Sequence, residues 1–413
     1  MSSFRLRRSL AYADSRDEDS PLKDFTPSED PAEGLGVLTV FRLIEEAESA
    51  FFQPGRPIHI SRAPGRLDIM GALGGSKAPL TLSLPTAEAA CAAIQSRDDD
   101  LIRLWSPCRD GSRTQMLSVR LGDLGLPTTP LDYQEARAFL VADPRDRWAG
   151  YLLGSLLVLA REHALAPEHG AELLIYSDVP NVCGVASSSA VTVAALRAFA
   201  LQFGLDLPGT EYGRLAQIVE RDVLRAHGRV ADAMTSALAE SGELLALSGG
   251  QGDLVARLAI PSGLEFVAIE TGTKSIAKAD EVVSDDDAQH TRRFQELLGM
   301  EPSEANHREL GELMFAAHAE YAAHGQSNEA CDLVVDAAKQ RRDAGGSVYG
   351  AKLSGRGGGG TVVLLGEHGK VWYEALRVKK ALKDATGHSG HIFRWSSPGA
   401  MSFGSIVLEP KDE

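Results

Sequence analysis

The 413-residue sequence contains only four cysteines, and they lie far apart, at positions 91, 108, 183 and 331. It lacks a CxxC pair and any Cys/His spacing of the kind that forms a structural zinc site. No apolar run approaches the ~18 residues needed to cross a bilayer, and no signal-peptide stretch is recognisable. We therefore expect a cytoplasmic protein with reduced thiols and no membrane partner.

Positive charge is also scarce, since 42 Lys and Arg residues face 57 Asp and Glu residues and the net charge is −15. No long basic cluster is present, which argues against a nucleic-acid partner. The GxxxxGK[ST] phosphate loop and the HRD and DFG elements are absent as well. A nucleotide on such an acidic chain would need a local phosphate site, built from glycine-rich main chain, a helix N-terminus and a metal ion.

The length predicts two domains, and the mixture of alternating and helical apolar patterns predicts an α+β fold. Residues 1–35 are polar and rich in proline and acids, so we predict a mostly disordered tail there. The pattern changes near residue 245, which predicts an N-terminal domain over 36–245 and a C-terminal domain over 246–413.

A glycine- and serine-rich turn, PNVCGVASSSAVTVAAL, covers residues 180–196 between a predicted strand and an apolar helix. Unpaired N–H groups in the first turn of a helix bind phosphate oxygens, and a serine hydroxyl there can bind Mg²⁺. A serine N-cap on a buried helix would give a similar pattern.

A second glycine-rich segment, KLSGRGGGGTVVLL, covers residues 352–365. Gly355, Gly357 and Gly360 fit GxGxxG, but Thr361–Leu365 reads as a strand rather than the helix that a dinucleotide site requires. The loop then joins two strands, either as a flexible hairpin turn or lying against another backbone such as the phosphate loop.

Two further segments place charged residues in unusual settings: SRAPGRLDIMG at 61–71 and HGRVADAMTSALAESG at 227–242. Asp232 stands among small apolar residues, where an unpaired carboxylate would be costly. An arginine is the obvious partner for it. Taken alone, Arg66 after Pro64–Gly65 is an ordinary charged turn residue.

Together these four segments resemble the motifs of the GHMP kinases, in the same order, from about residue 36 to the C-terminus. Within that family the sugar 1-kinases are most similar, L-arabinokinases more than galactokinases. The resemblance implies a two-domain GHMP kinase fold with the active site in the interdomain cleft, the glycine-rich loop in a ferredoxin-like C-terminal domain, and ATP and Mg²⁺ as cofactors.

The resemblance also implies roles for individual residues. Asp232 matches the general base, and Arg66 matches the arginine that keeps it ionised and neutralises the transferred phosphoryl group. Ser188 and Glu220 match the Mg²⁺ ligands, Glu220 lying 12 residues before Asp232 as in the family. The residues implied at the nucleotide are Gly184, Val185, Ser187, Ser188, Trp148, Tyr151, Gly357 and Gly358. Trp148 and Tyr151 could equally belong to a helical core stripe.

The sequence departs from its relatives where they bind sugar. The segment after the arginine turn reads GALGGS, so Ala72, Leu73 and Gly75 replace the family's sugar-contacting residues. Arg229 stands where relatives have glycine, and we expect it to contact an anionic substrate group. The predicted function is ATP-dependent phosphorylation of the anomeric hydroxyl of a monosaccharide or sugar derivative. A kinase for a non-sugar alcohol and a non-catalytic, galactokinase-like ligand sensor are the alternatives.

Overall fold

The computed structural model describes residues 4–7, 34, 36–47, 51–108, 111–248, 250–276, 282 and 284–410. Within these ranges the chain forms two sheets covered by helices. No helix in the described ranges has both the length and the apolar character of a membrane span.

The larger sheet has nine strands, most of them antiparallel. Its central strands β2 (Ile58–Met70) and β3 (Thr81–Ser96) are long and almost entirely buried. The others are β1 (Phe4–Arg7), β4 (Leu101–Trp105), β5 (Met116–Arg120), β6 (Ala171–Ser177), β7 (Glu243–Leu247), β8 (Leu254–Ala259) and β13 (Ile406–Pro410). The order is β1-β13-β2-β3-β6-β4-β5, with β7 bridging β3 and β8.

Helices of the first half pack around this sheet. They are α1 (Val37–Ala47), α2 (Tyr133–Leu140), α3 (Ala149–Glu162), α4 (Ser187–Gln202), α5 (Gly209–Ile218) and α6 (Val230–Leu238). Small and apolar side chains allow α4 to lie buried on most of its surface, against β2, β3 and α3. A π-helical turn over Val219–Val223 extends α5 and points Glu220 inward.

The smaller sheet has the order β10-β11-β9-β12 and is antiparallel throughout. Its strands are β9 (Leu264–Glu270), β10 (Val348–Leu353), β11 (Thr361–Glu367) and β12 (Ile392–Phe393). The helices that accompany it are α7 (Asp285–Leu298), α8 (Glu304–Ala323), α9 (Glu329–Asp343) and α10 (Val371–Thr386), and the short α11 (Ala400–Phe403) follows.

The predicted α+β fold class is confirmed, but the predicted boundary near residue 245 falls inside β7. Both β7 and β8 belong to the larger sheet, and β13 returns to pair with β2. A local change of pattern cannot reveal such pairings because they join segments distant in sequence. Residues 4–7 of the predicted tail form β1 and pair with β13, whereas residues 8–33 lie outside the described residues.

Candidate active site

A cavity of about 850 Å³ opens between elements of the two sheets. The first half of the chain contributes most of its wall, from β2, α3, β6, the start of α4 and the segment before α6. Ser275, Ile276, Gly355 and Arg356 contribute from the second half. Of the residues predicted for the site, those lining the cavity are Arg66, Trp148, Tyr151, Gly184, Val185, Ser187, Ser188 and Asp232.

The phosphate-loop candidate runs from the end of β6 to the start of α4. Gly184 and Ala186 adopt left-handed backbone conformations, with φ of 78° and 59°. These two positions turn the chain so that Ser187 begins α4 directly at the cavity. The free N–H groups of this first helical turn, and the hydroxyls of Ser187 and Ser188, are available to bind an anion.

The second glycine-rich segment connects β10 to β11 and lies against the phosphate loop. A Cβ added at Gly360 would collide with the carbonyl oxygen of Cys183, and Thr361 Oγ1 donates to that same oxygen at 2.9 Å. The interpretation of this loop as a backbone packed on the phosphate loop is confirmed. Gly357 and Gly358 instead pack against Gln326 and Ile276 and are not among the cavity-lining residues.

Asp232 lies near the start of α6 and is held by two arginines. Its Oδ1 accepts from Arg66 Nε at 2.9 Å and from Arg229 Nη2 at 2.6 Å. Both guanidinium groups also contact Asp68 Oδ2, Arg66 through Nη1 at 3.1 Å and Arg229 through Nη2 at 2.6 Å. All four side chains are buried, so two cations and two anions balance at the base of the cavity.

This arrangement fixes the charge of Asp232. Burial by itself would raise the pKa of the carboxyl group, but Arg229 and Arg66 outweigh it and hold that pKa well below its usual range. Asp232 is therefore a carboxylate at neutral pH. The Nη1 atom of Arg66 also donates to the carbonyl oxygen of Gly184 at 2.8 Å, which ties the arginine to the phosphate loop.

Glu220 lies behind the start of α4, with its Oε1 accepting from Ser189 Oγ at 3.0 Å. Burial, with the nearby charge of Asp232, raises the pKa of Glu220 to about 7. A buried carboxylate in this position fits a divalent cation, which would relieve the desolvation and the repulsion. Ser188 Oγ and Glu220 offer the hard oxygen ligands that Mg²⁺ prefers. No cluster of three or more His, Cys, Asp or Glu side chains suited to a metal occurs among the described residues.

Aromatic side chains contribute to the wall of the cavity. Trp148 and Tyr151 both line it while packing against the large hydrophobic core. The guanidinium of Arg113 stacks over the Trp148 ring, 4.8 Å from its centroid. The two readings of Trp148 and Tyr151 are thus compatible, because one face contacts the core and another faces the cavity.

The loop after β2 offers no polar side chain at the three replaced positions. Ala72, Leu73 and Gly75 are all buried, and Leu73 packs into the hydrophobic cluster of the smaller sheet. Gly71 lies so close to the carbonyl of Leu80 and to Thr291 of α7 that a side chain would not fit. This loop therefore serves packing between the two halves of the chain.

Three buried polar residues near the cavity were not predicted from the sequence: Asp68, Ser189 and Lys352. Asp68 interrupts an apolar stretch of β2, and Lys352 interrupts an apolar stretch of β10. A charged residue inside an otherwise buried strand is a signal that could have found both. Ser189 is indistinguishable from its two serine neighbours until Glu220 is placed beside it.

Comparisons with known proteins indicate the family of the chain. The family model for the GHMP kinases N terminal domain matches residues 150–240, and that for the GHMP kinases C terminal region matches residues 303–383. The L-arabinokinase of Arabidopsis thaliana is 25% identical, over 88% of this chain and 48% of its own length. A galactokinase of Chloroflexus aggregans is 30% identical, over 53% of this chain and 50% of its own. The chain thus spans about half the length of these two relatives.

Two further comparisons extend over more of the related protein. The mevalonate kinase of Thermococcus gammatolerans is 31% identical, over 60% of this chain and 76% of that protein. The crystal structure of Lactococcus lactis galactokinase complexed with galactose superimposes with a TM-score of 0.67, covering 88% of this chain and 99% of that one at 17% identity. The fold, the order of its motifs and these similarities together show that the chain belongs to the GHMP kinase family.

Proposed function

We propose that the protein transfers the γ-phosphoryl group of ATP to the anomeric hydroxyl of a monosaccharide or sugar derivative, giving a sugar 1-phosphate and ADP. The observation that carries the proposal is the Arg66–Asp232 pair, which lines the same cavity as the first turn of α4. The similarity to L-arabinokinase and galactokinase favours a sugar as the acceptor.

Different residues of the cavity have different roles in the proposed reaction. The N–H groups at the start of α4 bind the phosphates, and the adenine ring of ATP packs near Trp148 and Tyr151. Asp232 accepts the proton of the attacking hydroxyl as the oxygen–phosphorus bond forms and the bond to ADP breaks. Arg66 lies between Asp232 and the phosphate loop, where negative charge develops on the transferred group.

The metal would add charge neutralisation at the phosphates when bound. Ser188 and Glu220 are the residues that would hold it, and in phosphoryl transfer Mg²⁺ lowers the charge repulsion that the acceptor oxygen meets. Few protein ligands suffice, because Mg²⁺ is usually held by one or two side chains together with phosphate oxygens and water.

The test is an assay of ADP release from Mg·ATP over a panel of free sugars, uronic acids, amino sugars and polyols. Asp232→Asn serves as the blank, and ³¹P NMR identifies the product. We expect turnover on a sugar, loss of that turnover in the variant, and a 1-phosphate product. Turnover only on a polyol would assign a non-sugar alcohol instead. If no compound of the panel causes ADP release although ATP still binds, a ligand sensor is favoured.

A further inference from the structure

Arg229 has more hydrogen-bond donors than its surroundings use. Its side chain is 2% exposed, and only Nη2 is paired, with Asp68 and Asp232. Nε and Nη1 are buried and have no hydrogen-bond partner within the described part of the chain. A buried donor of a charged group that lacks a hydrogen bond costs folding free energy, and a bound ligand with an acceptor atom would relieve that cost.

The neighbouring carboxylates are already engaged with other donors. Asp68 already accepts from Ser83 Oγ at 3.1 Å and from Arg66, and Asp232 also accepts from Arg66. Arg66 and Arg229 bridge the same two acids, but Arg229 does so through Nη2 alone, so its Nε and Nη1 take no part in neutralising them. The second arginine therefore brings donors beyond what the base needs.

A third cation, after Arg66 and Arg229, lies near Asp68. Lys352 is fully buried, its Nζ donates to the carbonyl oxygen of Leu353 at 2.6 Å, and it stands 5.1 Å from the ring centroid of Tyr321. Burial lowers the pKa of Lys352 to about 8, although the charges of Asp287 and Asp68 act in the opposite direction. The interior around Asp68 therefore contains three cationic side chains.

A neutral sugar presents hydroxyl groups that both donate and accept, so its site needs acceptors as well as donors. The loop after β2 provides none at Ala72, Leu73 and Gly75, which are buried and apolar or without a side chain. A carboxylate only accepts, and its charge strengthens each bond that it receives. The surplus of donors at Arg229 and the lack of acceptors in the loop both fit an anionic group.

We propose that the acceptor is a sugar acid, a monosaccharide whose carboxylate is bound by Arg229 behind the base Asp232. This inference rests on the proposed function and names its substrate class. Arg229 follows Gly228 and contacts Asp232, both of which line the cavity, so the guanidinium is adjacent to the site of the acceptor hydroxyl. A carboxylate is preferred to a phosphate because Arg66 and Arg229 are already balanced by Asp68 and Asp232, so that a singly charged group is repelled less by these acids than a doubly charged one.

The experiment compares binding of D-galacturonate, D-galactose and L-arabinose, which share ring stereochemistry and differ only in the substituent at C5. D-Glucuronate and D-glucose form a second pair. Calorimetry in the presence of Mg²⁺ and a non-hydrolysable ATP analogue measures affinity without turnover. We expect the acid of one pair to bind at least about tenfold more tightly than its neutral partner, the worth of one charge-assisted hydrogen bond.

In Arg229→Gln we expect this preference to fall to near one, while the matched surface variant Arg308→Gln retains it. Equal affinity for acids and neutral sugars in the wild type overturns the inference, and so does an Arg229→Gln variant that weakens all ligands alike. Tighter binding of galactose 6-phosphate than of galacturonate overturns the carboxylate assignment. If Arg229→Gln does not fold, the acid-to-neutral ratio of the wild type decides by itself.

The outcomes separate this inference from the proposed function. If neutral sugars are phosphorylated and acids are not preferred, the proposed reaction stands and the assignment of a sugar acid as the acceptor is overturned. If a sugar acid binds selectively but is never phosphorylated, the binding role of Arg229 is supported and the proposed phosphoryl transfer is overturned.

Discussion

The part of the cavity around the first turn of α4, its proposed phosphate end, is built mainly from main chain. The part around Asp232, its proposed acceptor end, is built from buried charged side chains. At the phosphate end, the first turn of α4 and the β10–β11 loop approach each other through glycines, with Gly360 against Cys183. At the acceptor end, Arg66, Arg229, Asp68 and Asp232 neutralise one another in an interior with little solvent.

The two ends therefore respond differently to sequence change. A main-chain anion site depends on backbone conformation, so most side chains around it can vary without loss of phosphate binding. A buried charge network depends on each member, because removal of one partner leaves an uncompensated charge. Substrate selectivity can thus diverge within a family while the nucleotide site stays recognisable.

The largest effect is expected from Asp232→Asn, which keeps the shape of the acceptor end but removes its base. We expect kcat to fall about 10²–10⁴-fold, the usual contribution of a positioned base. Nucleotide affinity, measured by calorimetry, should change little because the phosphate end is main chain. Activity within tenfold of the wild type would show that Asp232 is not the base.

Glu220→Gln tests whether the phosphate end also needs a side chain. We expect the Mg²⁺ concentration for half-maximal activity to rise about 10- to 100-fold, since the amide is a weaker ligand for a hard cation. Glu301→Gln, an exposed glutamate, is the matched control. An unchanged Mg²⁺ requirement in Glu220→Gln would remove this residue from the metal site.

Gly360→Ala probes the main-chain contact itself. Gly360 has φ of 108° and its added methyl would meet the Cys183 carbonyl, so we expect a loss of about 3 kcal/mol in the free energy of unfolding and weaker ATP binding. Gly369 also has positive φ, 74°, but has no atom near its Cβ position, so Gly369→Ala should cost only about 1 kcal/mol. If denaturant unfolding gives the same loss of unfolding free energy for both variants, the contact between the added methyl group and Cys183 contributes nothing to the loss of stability.

The smallest effect concerns stability alone and tests the buried charges of the acceptor end. The pKa of Lys352 is about 8 in the folded protein and 10.5 is its ordinary value, so between these pH values the unfolded chain binds more protons. The free energy of unfolding should therefore rise with pH over this window, by roughly 2 to 3 kcal/mol. Lys352→Met should lose this rise, while Lys383→Met, at an exposed lysine, keeps it.

Contiguous motifs explain how much of the site could be predicted. The glycine and serine turn before α4 and the glycine loop between β10 and β11 are local patterns, and their loop and helix contexts follow from neighbouring residues. Glu220 required knowledge of a related family, because its role depends on a π-helical turn that directs it toward Ser189.

The sequence by itself determined the α+β class, the apolar helix after the serine-rich turn and the glycine-rich loop, because apolar periodicity and glycine act within a few residues. Only the tertiary structure decided that Arg66 meets Asp232 across 166 positions, that Arg229 meets Asp68 across 161, and that β13 returns to β2. These pairings are selected by burial, since charges removed from water must find partners wherever the fold places them.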